Sequence, residues 1–213
     1  MRKVRDAKRY LKHTIKRWKN YVLPDPIVFD SNSLQRREEF KADYEILASS
    51  LSEHIDFETV LDIGCAQGLL MKPLLRKGYS VRGVEVSEDV VEFLPKKIQK
   101  RVVLGDFEKA TGDYDLVCCV EVAEHIDPNR STELVEKICD LSNRHIYFTA
   151  APPTQGGHGH INCRPHSHWI NWIESYDWEL KKCTTKKIRR DLNKVEKTEW
   201  LAENSFVFSK NDK

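Results

Sequence analysis

The stretch that decides the fold is Val60-Leu61-Asp62-Ile63-Gly64-Cys65-Ala66-Gln67-Gly68. Val60, Leu61 and Ile63 make a short apolar strand around an acid, and a Gly-x-x-x-Gly turn then opens a helical stretch. Glycine belongs where the backbone needs positive φ or where a ligand must come close to it. In open parallel sheets ligands bind beyond the carboxyl ends of the strands, and this turn is such an end. It lacks the third glycine of a GxGxxG dinucleotide fingerprint and the lysine of a phosphate loop. Asp62 therefore favours a cationic or polar ligand over a pyrophosphate.

Two further strand ends carry matching chemistry. Glu85 closes Val81-Arg82-Gly83-Val84-Glu85, about twenty residues on, where an acid can accept both hydroxyls of a ribose. Gly105-Asp106-Phe107 closes the next run with an acid and a ring, suited to the amino group and face of adenine. Each alone is weak, because a glycine turn is usually only a turn and a lone acid there usually caps a helix. In order, at three successive strand ends, they are specific.

Apolar or β-branched runs at 59–63, 80–84, 101–104, 115–120 and 145–149 alternate with helix-sized stretches at 68–77, 87–94 and 130–142. That alternation predicts an α/β fold: a Rossmann-like, mostly parallel sheet with helices on both faces. A helix from Ser31 or Ser33 to about His54 precedes it. Beyond residue 150 the rhythm changes to a loop rich in Pro, Gly and His at 151–168. A Trp-rich helix is expected at 166–175, a strand at 178–183, a charged helix near 186–198 and a final strand at 205–209.

The 213 residues carry 35 Lys/Arg against 33 Asp/Glu, but unevenly. The first twenty hold nine Lys/Arg and one Asp. Val4, Leu11, Ile15, Trp18 and Val22 give residues 1–22 the pattern of a basic amphipathic helix, which Pro24 and Pro26 end. The expected division is 1–30 as helix and linker, and 31–213 as one domain. The leader either packs its apolar stripe on the domain or meets an anionic partner, RNA or a membrane surface. No apolar run approaches the ~20 residues of a transmembrane helix, and the basic N-terminus lacks the apolar core of a secretory signal. Six cysteines without a CxxC pair read as reduced thiols of a cytoplasmic protein.

With these motifs in hand, the chain resembles the class I S-adenosylmethionine-dependent methyltransferases over about residues 31–210. The resemblance implies seven strands with the last antiparallel. It implies that Asp62, Gly64, Cys65 and Gly68 contact S-adenosylmethionine, that Glu85 holds its ribose, and that Asp106 and Phe107 meet its adenine. Val120, ending Tyr114-Asp115-Leu116-Val117-Cys118-Cys119-Val120, would lie beside the reactive methyl.

Glu121-Val122-Ala123-Glu124-His125 follows. On a helical turn Glu121 and Glu124 face one side, and with His125 they can hold Mg²⁺ or Mn²⁺. His125 can instead act as general base, or Glu124 and His125 can simply shape the cofactor site. The pattern is similar to that of small-RNA 3′-end 2′-O-methyltransferases and of ubiquinone-type O-methyltransferases. In class I enzymes the loop after the fifth strand faces the substrate, which makes His158 and His160 candidate catalytic residues. The spacing of His158, His160, His166, His168 and Cys163 matches no zinc module. Trp169 and Trp172 have the spacing of core residues more than of a stacking platform, and Trp178 belongs with them.

The reading is O-methylation of a small-molecule or glycan hydroxyl. Its rivals are a metal-dependent RNA ribose 2′-O-methyltransferase, a non-catalytic cofactor-binding scaffold, and a peripheral membrane enzyme on a lipid-like acceptor. The Asn/Asp-Pro-Pro-Tyr tetrad of many amino-group methylators is absent after the fourth strand.

Overall fold

The computed structural model describes residues 38–211. The expected basic helix at 1–22, its Pro-containing break and the start of the 31–54 helix lie outside the described residues. The elements are α1 (Lys41–His54), β1 (Thr59–Ile63), α2 (Met71–Arg76), β2 (Ser80–Glu85), α3 (Glu88–Glu92), α4 (Lys96–Gln99), β3 (Val102–Leu104), β4 (Tyr114–Val120), α5 (Ser131–Leu141), β5 (Ser142–Thr149), α6 (His166–Glu174), β6 (Trp178–Leu180), α7 (Lys182–Leu192), α8 (Trp200–Asn204) and β7 (Phe206–Lys210).

The seven strands lie in the order β3-β2-β1-β4-β5-β7-β6. All pairs from β3 to β5 are parallel, and β7 runs antiparallel to both β5 and β6. The strand order reverses between β1 and β4, which is where ligands of open α/β sheets bind. Register aligns the strand ends there. Ile63 sits opposite Val84 on one side and Cys119 on the other. The turn at Gly64, the acid Glu85 and the end of β4 therefore emerge at one edge.

Alternation along each strand feeds two cores, one per face. Leu116, Cys118 and Val120 join Leu47, Leu51, Met71, Leu74, Ile188 and Leu192 beneath α1, α2 and α7. Val117 and Cys119 join Leu134, Ile138, Phe148, Trp169 and Ile173 beneath α5 and α6. A strand buried on both sides must be apolar at every position, which is why β4 reads as a continuous run. Trp169 is 1 % exposed and Trp178 2 %. Trp169 stacks on Trp172 at 15° and 5.9 Å. These tryptophans are core, and the platform reading is set aside.

The chain differs from expectation chiefly after β6. The strand expected to 183 stops at Leu180, and α7 occupies 182–192 instead of 186–198. The reason is tertiary. Asp43 on α1, 2 % exposed, accepts hydrogen bonds from the backbone of Glu196 (3.1 Å), Lys197 (2.8 Å) and Thr198 (2.8 Å) and from the Thr198 hydroxyl (2.9 Å). These donors turn toward a carboxylate rather than toward the preceding helical turn. The short α8, not expected from sequence, follows this turn. A second tie joins α1 to α7, where His54 Nε2 lies 2.7 Å from Asp191 and the Ser50 hydroxyl donates to the same carboxylate at 3.0 Å. Cys65, Cys118, Cys119 and Cys139 are buried free thiols, and Cys183 is exposed. Among the described residues no helix is long and apolar enough to cross a membrane.

Candidate active site

The glycine turn is built as the sequence requires. Gly64 and Gly68 take φ of 71° and 65°, and Ala66 follows at 43°. A Cβ at Gly64 would lie 2.4 Å from Val122 Cγ2, so the position needs glycine for conformation and for space. The amides of Gly64 and Cys65 both donate to the Val84 carbonyl, at 2.9 and 3.0 Å. That draws the turn over the end of β2.

Glu85, 6 % exposed, accepts from the Ala66 amide through Oε2 and from the Ser87 amide through Oε1, both at 2.9 Å. It braces the glycine turn, and each oxygen keeps acceptor capacity for a ligand hydroxyl. Asp62 lies beneath the turn, 4 % exposed. Burial, and then the nearby Glu85, push its carboxyl up to about 8. Burial likewise raises the Cys65 thiol far above the range of a reactive cysteine.

Asp106 and Phe107 are engaged by a residue that sequence reading missed. Arg130 donates to both Asp106 oxygens, at 2.7 and 3.3 Å, and lies 4.7 Å above the Phe107 ring. Phe107 is buried in the α5–α6 core. An arginine just before a helix carries no pattern that announces such a role.

One cavity of about 910 Å³ unites the rest. Its walls include Asp62, Gly64 and Cys65 from the glycine turn, Val120 and Glu121 from the end of β4, His125, and the loop with Gln155, His158 and His160. A further wall, absent from the sequence expectations, comprises Phe40, Tyr44, Thr198, Glu199, Trp200 and Glu203. Gly68, Glu85, Asp106 and Phe107 do not line it, and neither does any described Lys or Arg.

Glu121 is not on a helical turn. It takes φ of 53°, uncommon for a side chain with a Cβ and typical of functional sites. Its amide donates to Thr149 Oγ1 at 2.8 Å. Its carboxylate accepts from Asn204 at 3.1 Å and from Gln155 at 3.4 Å, and Asn204 also donates to the Gln155 side-chain oxygen at 3.0 Å. Asn204 and Gln155 were missed because one sits on the unexpected α8 and the other in the loop.

Glu124 begins a different environment. It is fully buried, its Oε1 accepts from the Ala151 amide at 3.3 Å, and its Oε2 meets no donor among the described residues. Burial, then the charge of Glu121, push its carboxyl up to about 8, so near neutral pH the protonated form dominates. His125 Nδ1 lies 3.0 Å from the Gly159 carbonyl. A carbonyl only accepts, so Nδ1 carries the proton and Nε2 is the basic nitrogen. The His160 ring packs edge-on against His125, centroids 4.9 Å apart. Its position depends on Gly157, where a Cβ would fall 2.2 Å from His160 Nε2. Asn162, 4 % exposed, staples the loop by donating to the Ala123 carbonyl at 3.0 Å and to Ser131 Oγ at 2.8 Å. His158 is exposed on the rim.

The donor atoms that lie within 4.8 Å of one another belong to Glu124, His125 and His160. The set expected from sequence had Glu121 in place of His160; Glu121 lies outside that group, although its carboxyl reaches Glu124 through a side-chain hydrogen bond and its charge. Mg²⁺ and Mn²⁺ take ionised carboxylates, carbonyls and water. The group offers two imidazole nitrogens and one carboxyl, a nitrogen-rich set where these ions prefer oxygens.

Residues 8–182 match a family described as a methyltransferase domain, and the chain belongs to that family. Its sheet is that of the S-adenosylmethionine-dependent class I enzymes. Among curated relatives it is 30% identical over 104 residues to the chloroplastic magnesium protoporphyrin IX methyltransferase of Arabidopsis thaliana, covering 45% of this chain and 33% of the relative. It is 30% identical over 105 residues to the magnesium-protoporphyrin O-methyltransferase of Synechocystis, covering 46% of each. It is 30% identical over 86 residues to a ubiquinone biosynthesis O-methyltransferase of Hydrogenovibrio crunogenus, covering 36% of each. The matched stretch thus spans less than half the length of these relatives.

Among solved structures, the Synechocystis magnesium protoporphyrin IX methyltransferase with bound S-adenosylhomocysteine superposes with a TM-score of 0.62 at 15% identity, over 93% of this chain and 95% of that one. A plantazolicin methyltransferase in complex with a monoazolic substrate analogue and S-adenosylhomocysteine gives 0.61 at 15% identity, over 89% and 91%. At that identity the likeness is one of fold.

Proposed function

We propose that this methyltransferase moves the methyl group of S-adenosylmethionine to the hydroxyl oxygen of a small molecule or glycan. The observation that carries the reading is the single cavity that joins the glycine turn to His125 and the histidine loop, with carboxylates and no described Lys or Arg in its walls. The names of the aligned relatives, magnesium-protoporphyrin and ubiquinone O-methyltransferases, add support for oxygen as acceptor.

The residues present fit the cofactor. The turn at Gly64 and Cys65 lines the cavity, Asp62 offers a carboxylate to a cation, and Glu85 offers two oxygens to a diol. When bound, S-adenosylmethionine supplies an electrophilic methyl on a sulfonium. The chain's own groups supply the rest. Gly64 and Cys65 bring backbone close to the ligand, and Glu121, clamped by Asn204 and Gln155, holds a negative charge at the end of β4. An acceptor hydroxyl in the cavity gives its proton to His125 Nε2 as its oxygen takes the methyl group. Orientation in the shared cavity contributes the remaining rate. Neutral Glu124 keeps a second negative charge out of the buried site.

Among the described residues the cavity wall offers no Lys or Arg to an anionic RNA backbone, and the basic leader lies outside them. The test is transfer of tritiated methyl from S-adenosylmethionine into a fractionated cell extract, with RNase and chelator controls. Label in small molecules or glycans, indifferent to both treatments and lost in His125→Ala, supports the reading. Label that is destroyed by RNase and abolished by chelator replaces it with the metal-assisted RNA reading.

A further inference from the structure

The wall of the cavity opposite the glycine turn has a composition of its own. Phe40 and Trp200 meet edge to face, ring centroids 5.9 Å apart at 87°, and Tyr44 lies beside them in the lining. Glu199 and Glu203, four apart on and beside α8, both line the same space and share one face of that short helix. This wall is anchored at both ends. Asp43 fixes the turn that leads into it, through Thr198. Asn204 at its far end binds Glu121 and Gln155 at the reacting end of the cavity.

We propose that Trp200, Phe40, Glu199 and Glu203 form the acceptor subsite and select a hydroxyl-bearing ring without negative charge. This inference rests on the methyl-transfer reading above and names the acceptor's chemistry. Aromatic rings at right angles offer an apolar face and edge against which a planar or puckered ring packs. Carboxylates accept hydrogen bonds and never donate when ionised, so they match hydroxyl groups. An anionic acceptor, a phosphate ester or a free carboxylate, would sit among Glu121, Glu199 and Glu203 with no described Lys or Arg lining the cavity to offset it, a repulsion that rejects it. A cation is not repelled by these carboxylates, so the wall discriminates against negative charge alone.

The experiment uses the full chain, tritiated S-adenosylmethionine and a small-molecule cell extract, with products passed over an anion exchanger. The expected result is label unretained by it. Glu199→Gln with Glu203→Gln should admit acceptors retained by the anion exchanger, at least fivefold above wild type, with S-adenosylhomocysteine affinity unchanged by calorimetry. Trp200→Ala should raise the apparent KM for the extract at least tenfold with kcat within twofold, and Trp200→Phe should recover most of it. Label held on the anion exchanger by the wild-type protein overturns the inference and leaves methyl transfer standing. So does a Trp200→Ala protein with unchanged KM. If Trp200→Ala does not fold, Trp200→Phe and the double glutamine variant still decide. Absence of label from every fraction, with S-adenosylhomocysteine bound, sinks the methyl-transfer reading itself.

Discussion

Replacing Asp43 by alanine tests how the fold builds the site. The carboxylate accepts four hydrogen bonds from residues more than 150 positions away in sequence. Two of the donors, the Thr198 amide and hydroxyl, belong to a residue 1 % exposed. Without Asp43 they stay buried and unpaired, and each such group costs about 1–3 kcal/mol. Glu196 and Lys197 are exposed, so water replaces their lost bonds at small cost. The expected destabilisation is therefore about 3–5 kcal/mol, measured as a shift in urea midpoint with unchanged slope. Asp43→Asn keeps one oxygen for the three donors on Oδ2 and should lose roughly half as much. Burial acts to raise the Asp43 carboxyl, but the hydrogen bonds together hold it below its ordinary value. A lowered folded value gives stability that is present above the unfolded value and disappears as pH falls through the folded one. The gap between wild type and Asp43→Ala should accordingly close below about pH 4. A loss under 1 kcal/mol at pH 7, or a gap that widens in acid, would refute the assignment.

Gly64→Ala must adopt φ of 71° and push Val122 aside; affinity for S-adenosylhomocysteine should fall at least ~30-fold, about 2 kcal/mol by calorimetry, and near-wild-type affinity would place the cofactor elsewhere. Asp62 titrates at about 8, so binding of a cation there releases a proton below that pH. Affinity for S-adenosylmethionine should drop up to ~tenfold per unit as pH falls from 8, and the heat of binding should vary with buffer ionisation enthalpy; identical heats in two buffers at pH 7 would remove Asp62 from the site. Glu124 has its folded value raised to about 8, so its contribution is full below the unfolded value and fades as pH rises through 8. Thermal stability of Glu124→Gln should depend less steeply on pH between 5 and 9 than that of wild type, and parallel curves would show that Glu124 is ionised throughout.

The sequence by itself determined the sheet and the edge at which its glycine turn lies. Both rest on local chemistry: β-branched runs of strand length, a glycine pair suited to positive φ, and acids placed at consecutive strand ends. Thr59–Ile63 came out at its observed bounds for that reason. The tertiary structure alone decided which residues line the cavity. Glu121 and Glu124 are three apart and read as equivalent, yet a left-handed backbone gives one to Asn204 and Gln155 and buries the other. Arg130 closes on Asp106 and Phe107 across some two dozen residues, and Asp43 turns the chain at 196–198 so that Trp200 and Glu203 reach the cavity. None of these contacts has a sequence period, because each is made between segments brought together only when the two cores form, and a hydrogen bond or ion pair between them is decided by distance in space.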